Sequence, residues 1–214
     1  HLVTQEVKVE VDRQLAMLTE QVGSAISYDE LSASVFSQSV ELTNLAITSF
    51  DGSSVATIDD ISVAGYETDK IAPRTEVSIN GFKFSDEFVT QLPPDANNQL
   101  ASARYDLHTL MNYDENSGNS DIKLTIDAND IVAFNFDLGL ANSTPLMEAS
   151  LAASKLQQKS GSQQLTLEHE LQQQTIMMEA LSGLEPRTIE INLQNQGKFK
   201  TLVEQVLEKQ GMTL

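Results

Sequence analysis

The sequence predicts an α+β fold dominated by an antiparallel, bulged and twisted β-sheet, with helices flanking it at the N- and C-terminal ends. Three observations carry that expectation. From Val40 to Phe84 one apolar spacing, φxφxxφxφ, occurs three times: Val40, Leu42, Leu45, Ile47; then Ala56, Ile58, Ile61, Val63; then Val77, Ile79, Phe82, Phe84. From Ile131 to Leu140 the chain alternates strictly, with Val132, Phe134, Phe136, Leu138 and Leu140 on one face. Helical spacing is confined mainly to the two ends of the chain.

The double spacers in the three copies, Thr43-Asn44, Asp59-Asp60 and Asn80-Gly81, interrupt the alternation. A β-bulge would absorb the extra residue and return the second half of each copy to the same face. A two-residue hairpin is the other solution. For the first two copies the bulge is preferred; at Asn80-Gly81 both remain open, because this dipeptide suits a type I′ turn.

Taken in order, Val3, Val7, Val11, Leu15, Leu18 and Val22 form one stripe of an amphipathic helix ending near Gly23. Residues 1–24 are therefore expected to be an N-terminal helix, either a stalk or packed on the sheet, and 25–214 a single mainly β domain with a helical C-terminal part. Ile26 to Ser34 begins the sheet before the first copy, and Asp51-Gly52-Ser53-Ser54 supplies turn chemistry between copies one and two. Ser85 caps a short helix stopped by Pro93-Pro94, and Asp95 to Ala103 adds a helical turn. Tyr105, Leu107, Thr109, Met111 and Tyr113 alternate along one strand, and Ile122, Leu124 and Ile126 along its partner, with Asp114 to Asp121 as the loop. After the Ile131 to Leu140 strand, Thr144-Pro145 opens a helix to Gln158, although Met147, Ala149 and Leu151 leave a strand open. Leu165, Leu167, His169 and Leu171 read as a strand face, Ile176 to Leu184 as a helical turn, and Ile189, Ile191 and Leu193 as the last strand. A final helix runs from Gly197 to Gln210 with Gly211 as its cap.

Composition narrows the function classes. The chain has 214 residues, enough for a real core without crosslinks, and no cysteine, which removes disulfides, thiolate zinc sites and cysteine nucleophiles. Its formal charge of −18, from 31 acids against 13 bases, opposes nucleic acid as a partner. Nine of the acids lie between Arg13 and Lys70, an interval without a basic residue. No window offers the roughly 20 apolar residues of a membrane span. The start at His1 instead of Met is read as the removal of an upstream segment, by processing or by design, for which a signal sequence and a membrane anchor are both open.

Motifs for chemistry are missing. There is no G-x-S-x-G elbow, P-loop, G-x-G-x-x-G or H-E-x-x-H. His108 and His169 read as structural. Asp114 to Asp121 looks like a calcium loop, but Gly118 stands at its fifth position in place of an oxygen ligand, Asn119 at its sixth in place of glycine and Thr125 at its twelfth in place of a bidentate glutamate, so a polar hairpin loop is favoured. Asp59-Asp60 and the Glu168, Glu170 pair read as solvated carboxylates, and Asp127, Asn129 and Asp130 as turn residues. No catalytic residue, metal ligand or cofactor is expected.

ISYDELSASVFSQSVELTNLAI (Ile26 to Ile47), ATIDDISVAGYE (Ala56 to Glu67) and NYDENSGNSDIKLTIDANDIVAFNFDLGLAN (Asn112 to Asn142) resemble segments of membrane-anchored bacterial periplasmic proteins, in the neighbourhood of the AsmA-like and related envelope families. The resemblance covers about half the chain and transfers no catalytic residue. It implies an elongated curved sheet in the periplasm, held at the inner membrane by an upstream anchor, with an apolar surface for lipid. It makes phospholipid or other envelope proteins the expected partners. The candidate surface is Val132, Phe134, Phe136, Leu138 and Leu140. The alternative is a protein-interaction accessory subunit, in secretion or adhesion, that uses the acidic surface from Gln14 to Asp69.

Overall fold

The computed structural model describes all residues except 1, 35–36, 66, 68, 93–100, 161–166, 210 and 213–214. Its centre is one open antiparallel sheet of nine strands: β1 (Ser24–Ser27), β2 (Glu30–Ser34), β3 (Ser39–Ser49), β4 (Ser54–Ala64), β5 (Arg74–Phe84), β6 (Tyr105–Asp114), β7 (Asn119–Ala128), β8 (Val132–Ala141) and β9 (Glu185–Asn195). From β3 to β9 each strand pairs with its neighbour in sequence, while β1 and β2 both pair with β3. Short links join β3 to β4, β6 to β7 and β7 to β8, where antiparallel pairing of successive strands is the least demanding arrangement, while the longer stretches 85–104 and 142–184 join β5 to β6 and β8 to β9.

The three φxφxxφxφ copies are the single strands β3, β4 and β5, so Asn80-Gly81 is not a hairpin. Between β5 and β6 the register moves from Ile79 opposite Leu107 to Phe82 opposite Tyr105, which leaves one extra residue in β5. Gly81 absorbs it at a φ of 70°. Its N–H donates to Asp106 Oδ1 at 2.7 Å instead of to a strand carbonyl. In β3 the corresponding adjustment is Asn44 at a φ of 52°, a conformation that asparagine tolerates better than other side chains. Both halves of each copy therefore return to one face: Leu42, Leu45 and Ile58 form a buried cluster with Ile47, Ile61, Ile79 and Phe82 packed against it. A further irregularity, between Ile47 and Thr48 where β4 carries the additional Val55, has no signal in the apolar pattern.

Helix α1 (Leu2–Val22) lies beside this cluster, with Val11 packed against it. Lys8 Nζ donates to the Tyr28 hydroxyl (3.0 Å) and pairs with Asp12, and Tyr28 donates to Asp12 Oδ1 (2.6 Å), so the helix is tied to the β1–β2 link. Helix α2 (Asp86–Gln91) is capped by Ser85, whose hydroxyl accepts from Phe88 N–H at 3.0 Å. Its Phe88 stacks on Phe84, which meets Phe82 edge-on. Helix α5 (Phe199–Lys209) brings Phe199 and Leu202 onto a second buried cluster of Ala103, Ala128 and Ile131.

Helices α3 (Thr144–Ser160) and α4 (Leu167–Ser182) form a pair between β8 and β9. The expected strand at Leu167, His169 and Leu171 is instead the first turn of α4, and Leu165 lies outside the described residues. Four alternating positions were too short a run to outweigh LEHELQQQTIMMEALS, a segment rich in strong helix formers. The helical turn expected from Ile176 to Leu184 is the end of the same helix. Glu168 and Glu170 accordingly belong to a helix and not to the polar side of a strand. The loop expected from Asp114 to Asp121 shrinks to residues 115–118, because β7 already begins at Asn119. The helical turn expected from Asp95 lies largely outside the described residues.

Candidate functional surface

Register converts the apolar positions of separate strands into rows. One row runs from Leu42 through Ile61, Ile79, Leu107 and Ile126 to Phe134 and Leu193. The next runs from Val40 through Val63 and Val77 to Leu124, Phe136 and Ile191, interrupted by Thr109. A shorter third row contains Met111, Ile122, Leu138 and Ile189. Directly opposed residues of antiparallel strands lie on the same face, so these rows make one apolar surface crossing the sheet.

The candidate residues occupy its β8 part. Val132, Phe134, Phe136 and Leu138 are partly buried, and Leu140 is buried. They do not sit alike. Val132 lies at the end covered by α5, packed against the Ala103 cluster, whereas Leu140 lies at the opposite end, beside the start of α3. Tyr113 and Ser120, aligned with Leu140 across β6 and β7, are buried there too, and the Tyr113 hydroxyl contacts Thr144 Oγ1 at 2.9 Å. Phe134 and Phe136 lie between those ends. Beyond them the surface becomes open: Ile189, Ile191 and Leu193 of β9 are 59%, 66% and 53% exposed.

A band of polar groups accompanies the bulge. Arg104 Nη2 pairs with Asp59 Oδ2 at 2.5 Å, the Asn80 amide donates to Asp60 Oδ1 at 2.7 Å, and the Asn129 amide donates to Asp106 Oδ2 at 3.2 Å. Gln196 donates to Asp127 Oδ2 at 3.0 Å. These residues hold the bulged strands in register. The Asp59-Asp60 pair is thus divided between two partners, with neither carboxylate placed against the other for acid/base work. The apolar periodicity did not mark Arg104 or Asp106; only the polar centres of the repeated spacing hinted that something had to meet them.

The remaining chemistry is sparse. Ser78 Oγ lies 3.0 Å from His108 Nδ1, and Glu76 lies 3.6 Å from its Nε2. Ser78, His108 and Glu76 thus meet across β5 and β6 in the contact order of a nucleophile, a base and an orienting acid, with Glu76 beyond hydrogen-bond distance of the ring and both His108 and Glu76 open to solvent. Asp114 accepts from Ser117 Oγ at 2.7 Å and from Asn116 N–H at 3.0 Å, which holds its carboxyl below the usual range and closes the turn by itself. Burial pushes the Tyr105 phenol upward. Among the described residues no group of three or more acidic or histidine side chains could hold a metal ion, and no helix is long and apolar enough to cross a membrane. In comparisons with known proteins, no family model, curated protein or solved structure matches this chain.

Proposed function

We propose that the chain is a non-enzymatic protein of the bacterial envelope that holds lipid acyl chains, or scaffolds other envelope components, on the apolar face of its sheet. The observation that supports this reading is the apolar row that runs unbroken from Leu42 in β3 to Leu193 in β9, with Phe134 and Phe136 lying between the end regions occupied by α5 and α3. Acyl-chain binding needs only such a surface. Each methylene removed from water contributes about 0.8 kcal/mol, with no catalytic group involved. Phospholipid is the proposed ligand, and the acidic chain favours a zwitterionic headgroup over an anionic one, because a charge of −18 repels anionic surfaces. The resemblance to AsmA-like proteins supports a periplasmic location with an upstream inner-membrane anchor.

Native mass spectrometry with solvent extraction, on protein purified from its own envelope fraction, tests the reading. Co-purifying phospholipid is expected, and Phe134→Asp with Phe136→Asp should lose it while retaining the wild-type circular dichroism spectrum. Protein that emerges free of lipid removes lipid binding as the leading function.

A second reading is an accessory subunit for secretion or adhesion. It draws on the exposed Asp29, Glu30, Glu41 and Asp51, which belong to the stretch without basic residues. Replacing these four by their amides should weaken a partner complex in a salt-dependent way, and leave it intact if the apolar face alone binds.

A further inference from the structure

Among the described residues the outer edge of β9 pairs with no strand, and the two ends of the sheet treat their edges differently. At the β3 end the edge is divided into two short strands, β1 and β2, with α1 beside them. Such interruption is a common protection against edge-to-edge association. Strand β9 is 11 residues long and exposed along its whole length. It is protected only near its start, where Pro186 lacks an N–H and the register shifts opposite Gly139 and Leu140. From Thr188 to Asn195 the pairing with β8 is regular, so the outward backbone groups of that segment form an uninterrupted row of donors and acceptors.

We propose that this edge pairs with β9 of a second copy of the chain, antiparallel, about a two-fold axis through Ile191. The side chains select that register. It places Ile191 opposite Ile191, Ile189 opposite Leu193, Glu190 opposite Asn192 and Thr188 opposite Gln194, so that every apolar residue faces an apolar one and no like charges are directly opposed. A two-fold at Glu190 would set two carboxylates against each other. At Asn192 it would leave Ile189 facing Asn195, and at Ile189 it would put Ile191 against Arg187. A shift by one residue would turn the apolar faces of the two copies to opposite sides. In the Ile191 register the apolar rows continue from one copy into the next.

The interface is small and the two copies repel each other through their net charge, so association is weak and strengthened by salt. Sedimentation of the purified protein over a concentration series should show a monomer–dimer equilibrium with a midpoint on the order of 100 µM, tighter at high than at low ionic strength. Ile191→Lys, which opposes two ammonium groups at the axis of an already exposed position, should leave only monomer. The absence of cysteine permits a direct reading of register. Ile191→Cys should form a disulfide dimer on mild oxidation, because directly opposed Cβ atoms lie about 5 Å apart. Ile189→Cys and Leu193→Cys should crosslink when mixed but not singly, since like positions lie roughly 13 Å apart along the strands. A monomer at every concentration and salt, a dimer indifferent to Ile191→Lys, or singly mutated Ile189→Cys crosslinking as fast as Ile191→Cys overturns the proposal. Lipid binding can fail while this pairing stands, because one is read by extraction and the other by mass and crosslinks.

Discussion

The β3–β4 and β8–β9 ends of the sheet both gather apolar residues on one face, through the interrupted φxφxxφxφ spacing at one end and strict alternation at the other, but they meet different surroundings. Leu45 is 2% exposed and Ile58 8%, whereas Ile191, at an equally apolar position of a strand, is 66% exposed. The difference comes from what lies beyond each strand. Leu45 and Ile58 have neighbours on both sides and the stripe of α1 nearby, while Ile191 has β8 on one side and an unpaired edge on the other. An apolar pattern therefore specifies which side chains share a face. Whether that face becomes core or a surface for binding depends on the helices placed against it.

Mutations can break this contrast. Leu45→Ala removes a nearly inaccessible side chain from the first cluster and is expected to destabilise the protein by about 3 kcal/mol in urea unfolding. A loss comparable to that of an exposed site would show that the cluster is not the stable part of the sheet. Gly81→Ala attacks the bulge that keeps both halves of β5 on the apolar face. A Cβ there would lie 2.5 Å from Asp59 Cγ and 2.7 Å from Arg104 Nη2, on a backbone already at positive φ. The expected loss is about 2 kcal/mol, with the Arg104 to Asp59 pair displaced.

At the other end, Ile191→Thr should change stability by only about 0.5 kcal/mol, since little burial is lost at an exposed strand position. Its effect should appear in self-association. A loss near that of Leu45→Ala would mean that β9 is covered in solution. The smallest effect concerns acid. Arg13 beside Glu10, Lys8 beside Asp12, Ser53 beside Asp51 and Ser117 beside Asp114 hold these four carboxyls below their ordinary values. Their folded pKa values lie below the unfolded ones of about 4, so the stability they contribute is present above that pH and lost as pH falls through the folded values. All four carboxyls lie on α1 or at turns among β3 to β7, so melting at fixed ionic strength should show a modest acid-side decrease. An equal decrease in a variant with all four replaced by their amides would assign it to other groups.

Several elements were legible because their signal is local. Ser85 before an acidic first turn, the alternation of β6, β7 and β8, and the stripe of α5 each depend on residues within one turn or one strand of each other. The first half of α4 was misread because a four-position alternation is weak evidence beside the helix propensity of the residues that follow it. For the candidate surface, Val132 to Leu140 could be assigned to one face from the sequence. Their rows across seven strands could not, because register between strands is set by turns and bulges that the apolar spacing does not encode.

By itself, the sequence determined that this chain builds an antiparallel sheet with helices at both ends, because period-two and helical patterns are properties of neighbouring residues. It also determined the strong acidic charge and the lack of catalytic motifs. The tertiary structure alone decided that all three double spacers lie within continuous strands, that only the Asn80-Gly81 spacer carries an extra residue against its partner, and that Asp59, Arg104, Asn80 and Asp106 from three strands and a loop gather around it. It alone decided that one end of the apolar face is buried and the other open. Burial depends on which elements come together from distant parts of the chain, and no local pattern records that.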